Sequence, residues 1–272
     1  MLEEIELGLF WLATALYLSA WGQHLRGWRQ GSEAVTGVAV RILWVGWGLH
    51  VAMVGLRWYR AEHVPMLSAF EFVTFFAMLV IGAFLLFALN KRNQMLGVFL
   101  VPVGLLLMVY AAFMPKDIEP ELTIFKGLLL QFHILMTLLG YAAWAVTFAA
   151  SICYLYLEKK ADKNPRLFDQ MAYRAAFFAF AFLTLGIITG ALWGDRVFGQ
   201  LWFWDPKETW SFITWLIFMA YLHARYTLEW RGRRAAILAI VGFAALVFTY
   251  VGVDFLLPQI HGVAEQATMS AK

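Results

Sequence analysis

"GLLLQFHILMTLLGYAAWAVTFAASICYLYL", Gly127 to Leu157, decides the fold class. The run contains no Asp, Glu, Lys or Arg, and one histidine, His133, near its start. A helix that crosses a bilayer needs about 20 mostly apolar residues, and this run exceeds that length. Outward from it lie comparable apolar segments at about 5–25, 37–56, 67–89, 95–114, 174–193, 207–228 and 235–256. The polar breaks are short, the longest falling around 158–173. Neither a low-complexity linker nor an internal repeat divides the chain. The pattern predicts an all-α, polytopic integral membrane helical bundle of about eight transmembrane helices. Residues 1–272 are expected to form one membrane domain.

Bulk composition agrees. Of the residues, 62% are hydrophobic and 14% charged, against roughly 45–50% apolar and about 25% charged in soluble domains. One buried core cannot absorb that surplus, so lipid is the second apolar solvent. The formal net charge of +3 is explained by basic loops and argues against nucleic acid as a partner. The single cysteine, Cys153, excludes an intrachain disulfide and a CxxC redox pair. It reads as a small buried apolar residue. The opening "MLEEIELGLF" is acidic where a signal peptide is basic, so the first run is expected to stay as a helix.

Lysine and arginine set the orientation. One alternate set of connections carries the larger share, with Arg26, Arg29, Lys159, Lys160, Arg231, Arg233 and Arg234 among them. By the positive-inside rule that face is cytoplasmic. Both termini are then extracytoplasmic, as is the connection at 194–206.

Local signals mark two helix starts. "SAFE", Ser68 to Glu71, reads as a capping box. "DPKE" places Asp205 at an N-cap, Pro206 at the first helical position and Glu208 at the third. A structural role is therefore the first reading of both acids.

Six histidines fall at different depths. His133 and His261 both belong to the outer side and can approach the 194–206 connection. His133 is followed at helical spacing by Thr137, Gly140, Tyr141 and Trp144, a face suited to protein contact. His223 lies about 25 Å beyond Pro206 on one helix, in the inner half of the membrane. His24, His50 and His63 sit near helix ends or in a loop, where a hydrogen-bonded or interfacial role is the ordinary one. No pair has the HxxxH or HExxH spacing of a zinc site.

The stretch "ALWGDRVFGQLWFWDPKETW" holds Trp193, Trp202, Trp204 and Trp210, with Phe198 among them. Interfacial anchoring explains one or two tryptophans. Leu201, Trp202, Phe203 and Trp204 suit an extended or irregular platform, and Gly194 and Gly199 permit close backbone approach. Flat apolar rings suit a large planar ligand, and nearby imidazoles suit one with a metal at its centre. Porphyrin iron meets both conditions.

"WGDRVFGQLWFWDPKETWSFITWLIFMAYLHARY" resembles the tryptophan-rich WWD signature of haem-handling cytochrome c assembly proteins, in particular the CcsA (ResC) type of System II. "HVPMLSAFEF" resembles that family's amino-terminal segment, and "QFHILMTLLGYAAW" the region of its first external histidine. "VGVDFLLPQIHG" resembles the segment of its second external histidine. The family often has Trp where this chain has Phe198, and an uncharged polar residue near Arg196, which suits pairing with a haem propionate or with Asp195.

The resemblance implies a haem-binding loop at 194–208, with Trp193, Phe198, Trp202, Trp204, Asp205 and Trp210 around haem b, which is both ligand and substrate. It implies His133 and His261 as external axial ligands of the haem iron and His223 as one ligand of an inner haem. The other inner ligand would come from a partner subunit of the CcsB (ResB) type. The implied activity is part of a cytochrome c synthase: thioether formation between haem and the CxxCH motif of apocytochrome c. The chain supplies no nucleophile of its own. Two other readings use the same residues: a haem carrier or exporter without ligation, and a System I haem-delivery subunit. The implied location is a bacterial cytoplasmic membrane, or a thylakoid membrane.

Overall fold

The computed structural model describes residues 1–118, 127–160 and 165–256. Every regular element among the described residues is helical. Among the described residues, seven helical stretches are long and apolar enough to cross a membrane by length and composition. The eighth expected span, Pro206–Tyr226, falls outside that set. Its sequence interleaves Lys207, Glu208, Ser211, His223 and Arg225 with the apolar residues. The chain divides into two compact units, residues 1–131 and 132–272.

The first unit contains α1 (Leu2–Gln30), α2 (Glu33–Ala61), α3 (Ala69–Ala88) and α4 (Gly97–Ala112), with a short 3-10 turn, Lys91–Leu96, before α4. Gly31 ends α1 at φ 63, a conformation that favours glycine, and Ser32 caps α2 through Val35 N–H. The capping box at α3 is complete: Ser68 accepts from Glu71 N–H at 3.2 Å, and the Glu71 carboxylate accepts from Ser68 N–H at 3.2 Å.

Arg57 is buried in this unit and fully engaged. Its guanidinium donates to Glu71 at 3.0 Å, to Glu6 at 3.1 Å, and to the carbonyls of Lys116 and Asp117 at 2.6 and 3.0 Å. Arg60 pairs with the other oxygen of Glu6. Multiple partners are what a charge removed from water requires.

The other three histidines also lie in the first unit. His50 Nδ1 shares a hydrogen bond of 3.1 Å with the Tyr17 hydroxyl. His63 Nδ1 donates to the Val64 carbonyl at 3.1 Å. His24 is buried against Phe84 and the bare face of Gly97, with both ring nitrogens lacking hydrogen-bond partners among the described residues.

The second unit holds most of α5 (Leu128–Leu157), then α6 (Arg166–Phe198), α7 (Pro206–Tyr226), α8 (Arg233–Val247), a π turn at Phe248–Gly252 and the short α9 (Val253–Leu256). Helix α6 is longer than its apolar centre at 174–193. It takes in part of the expected polar break at 158–173 because Phe168, Met171 and Ala172 give an amphipathic extension a buried face. Asp169 on that extension binds Arg225 through both carboxylate oxygens, at 2.7 and 2.9 Å, and accepts Gly232 N–H at 2.9 Å. One carboxylate thus ties the start of α6 to the end of α7 and the start of α8. The buried Trp144 ring stacks on Phe218 of α7 at 3.4 Å and donates to the Ala239 carbonyl of α8 at 3.1 Å.

Candidate functional site

Helix α6 carries Gly186, Gly190 and Gly194, spaced by four residues and therefore aligned on one face. Helix α5 packs against this stripe. A Cβ on Gly186 would lie 2.5 Å from Thr137 Oγ1, and one on Gly190 would lie 2.6 Å from Nδ1 and Cε1 of His133. Gly194 is closed differently: the Gln200 carbonyl is 3.4 Å and the Phe203 ring 3.9 Å from its would-be Cβ. His133 is therefore seated one helical turn, about 6 Å, below the residues of the aromatic connection that rest on α6.

The imidazole is oriented as well as seated. His133 Nδ1 lies 2.7 Å from the Gly186 carbonyl oxygen. A carbonyl only accepts, so Nδ1 carries the proton of this bond.

The connection itself is shorter than the sequence suggests. Helix α6 runs on through Trp193 and Asp195 to Phe198, and Gly199 ends it at φ 74. Residues 199–205 remain as irregular chain before Pro206 opens α7. Asp205 accepts Glu208 N–H at 2.7 Å, so the expected cap is present. The Glu208 carboxylate accepts Phe203 N–H at 2.7 Å. The two acids brace the last residues of the connection on the first turn of α7.

The aromatic rings form two linked groups. Trp193, Phe198 and Phe203 follow one another edge to face at 5.6 and 5.7 Å. Trp202 meets Trp204 at 6.0 Å and Phe212 at 6.4 Å, again edge to face. The Trp202 indole N–H is buried without a hydrogen-bond partner among the described residues. Trp204 is 67% exposed.

The remaining expected site residues separate. Trp210 packs on Phe248 of the π turn at 4.3 Å, and its carbonyl accepts from Thr249. Its ring is engaged with the end of α8. His223 lies in the last turn of α7, at the opposite end of that helix from the connection. It is exposed, and its Nδ1 faces the Thr227 hydroxyl at 3.4 Å. Phe212, Leu216, Met219 and Tyr226 are exposed on the same helix. His261 lies outside the described residues.

Sequence reading missed Gly186, Gly190 and the Phe203–Glu208 bond. The four-residue glycine spacing in "GIITGALWG" is a legible signal for close helix packing. The Glu208 bond has no sequence signal beyond the cap motif that explains the same residue.

The helices and this site define a polytopic membrane protein that presents an aromatic connection beside a pre-oriented imidazole. Residues 66–261 match the family model of the cytochrome c assembly protein, and the chain belongs to that family. The chain is similar to the cytochrome c biogenesis protein CcsA of Chlamydomonas reinhardtii, 33% identical over 227 residues, covering 78% of this chain and 64% of that protein. It is 30% identical over 269 residues to CcsA of Gloeothece citriformis, covering 77% of this chain and 82% of that protein. A solved structure named cytochrome c heme lyase CcmF shares the fold, with a TM-score of 0.75 at 18% identity. That match covers 96% of this chain and 48% of the CcmF chain.

Proposed function

We propose that the chain holds haem b against the 199–205 connection and presents it to apocytochrome c, as the CcsA-type subunit of a System II cytochrome c synthase. The observation that carries the reading is His133. The Gly186 carbonyl accepts from Nδ1 and orients the ring, as backbone partners do for other metal-ligating histidines, and in this reading Nε2 is the atom that meets the iron. His133 is seated one turn of α6 from the connection. In this reading His261 supplies the second external ligand, and Trp193, Phe198, Trp202 and Trp204 wall the macrocycle.

The attachment is an addition. Each thiol S–H of CxxCH adds across a haem vinyl C=C, forming a C–S bond at one carbon and a C–H bond at the other. The chain provides no nucleophile. It contributes position and exclusion of water, which raise the effective concentration of thiol and vinyl.

His223 serves an inner haem, with the other ligand from a CcsB (ResB)-type subunit. Its exposure beside Phe212, Leu216 and Met219 on one face of α7 supports this, because an imidazole set in an apolar face ordinarily meets protein or a ligand. The membrane is a bacterial cytoplasmic membrane, or a thylakoid, with the connection on the extracytoplasmic side.

The test uses the complex purified with its partner subunit. His133→Gly and His261→Gly are each expected to lower the Soret absorbance and cytochrome c maturation, with partial recovery on adding imidazole. Parent-like spectra and maturation in both variants would overturn the external site.

A further inference from the structure

His223 stands on a turn that does not hold itself in place. It lies in the last turn of α7, where carbonyls lack intrahelical partners and helices fray. The imidazole is exposed, and its Nδ1 faces the Thr227 hydroxyl at 3.4 Å. Thr227 belongs to the same helix end, so that contact does not fix the turn from outside.

The turn is held from behind. Tyr221 and Arg225 are four residues apart and share a face of α7. Tyr221 is buried edge to face against Trp144 at 5.5 Å. The Arg225 side chain is 6% exposed, and its guanidinium lies over the Tyr173 ring at 5.1 Å. It donates to both oxygens of Asp169, at 2.7 and 2.9 Å, and to the Trp230 carbonyl at 3.1 Å. The Trp230 N–H closes back on the Ala224 carbonyl at 2.9 Å. His223 is two residues from each anchor, about 200° round the helix, and so faces away from both. Phe212, Leu216 and Met219 are exposed on the same side as His223.

Two helices do not need a charge pair to pack. Apolar residues of similar volume often hold them as well, because two ions must leave water. The fork between guanidinium and carboxylate adds direction: two parallel N–H···O bonds fix the rotation and the height of the turn together. Asp169 also accepts Gly232 N–H at 2.9 Å, so it is tied to the chain beyond α7 as well. A metal ligand requires such fixing, since a site whose support is loose by about 1 Å fails.

We infer that Asp169 and Arg225 are the positioning residues of His223: the pair grips α7 by one face so that the imidazole is presented from the other. The inference rests on the inner-haem reading above and assigns within it the device that places the ligand. Asp169 acts through Arg225, and neither touches the macrocycle.

The experiment uses the complex with its partner subunit in a His133→Gly, His261→Gly background, where the external ligands are absent and the Soret band reports the inner haem. Haem content, the spin state of the ferric iron and thermal unfolding are recorded with and without added imidazole. His223→Gly is the reference: it should lose haem and low-spin character, and imidazole should return part of both. Arg225→Lys keeps the charge but not the fork, and Asp169→Asn keeps the shape but not the charge. Each is expected to lower haem retention about tenfold, with imidazole again restoring low-spin character. Arg233→Gln, which removes an exposed cation at the same end of the molecule, should change nothing. If His223→Gly loses haem while Arg225→Lys and Asp169→Asn keep it, the inference fails and the inner-haem reading stands. If the two variants lose haem and unfolding temperature together and imidazole restores neither, the pair is structural and the inference fails. A background without haem, or one that His223→Gly leaves unchanged, removes both.

Discussion

A single methyl group tests the seat of His133. On Gly190 it would fall 2.6 Å from Nδ1, the same ring nitrogen that the Gly186 carbonyl holds. Gly190→Ala is therefore expected to displace the imidazole and cut haem retention about 10–100-fold, the range seen when support behind a metal-ligating histidine is lost. Alanine is also a better helix former by about 1 kcal/mol, so circular dichroism should show α6 intact while the Soret band falls. His24 predicts the opposite sign. Its two unpartnered ring nitrogens each carry a burial cost of about 1–3 kcal/mol. His24→Leu should leave stability level or raise it by about 1–3 kcal/mol, with maturation unchanged; thermal unfolding and a maturation assay decide the matter. Both residues are histidines in apolar helices, and the sequence ranks them only by depth. The carbonyl behind one and the apolar packing around the other are set by neighbours far along the chain.

Helices are joined here by a few buried charges. Arg57 links α2 to Glu6 of α1, to Glu71 of α3 and to the chain just after α4. Arg57→Met removes the cation, leaving the buried Glu71 without its counter-charge and Glu6 with Arg60 alone, an expected loss of about 3–5 kcal/mol in reversible unfolding from mild detergent. Asp205→Ala removes the cap of α7 and should cost about 1 kcal/mol. Caps were legible in advance: Ser68, Glu71 and Asp205 act as their local motifs predict. The limits of the helices were less so. Apolar runs locate the part of a helix that lipid requires, whereas α6 continues in both directions where only one face is buried.

For the whole molecule the open physical question is which end faces which compartment. The charge bias predicts that Gln200 is reached from outside and Lys160 from inside. Single cysteines at these positions, in a Cys153→Ala background, should react with an impermeant maleimide in intact cells at 200 and only after lysis at 160; the reverse pattern would invert the orientation. Composition and apolar periodicity were enough to determine a helical membrane protein, because a backbone in lipid must satisfy its hydrogen bonds within each segment. The motif around Trp202 and Trp204 was enough to point to a family, because those residues are contiguous. Tertiary structure alone decided that the Gly186 carbonyl orients the ring of His133, that Trp210 turns to Phe248, and that Trp204 stands out from a braced connection. Each depends on partners separated in sequence or on a backbone angle imposed from both sides, and packing of complete helices is what brings such partners within reach.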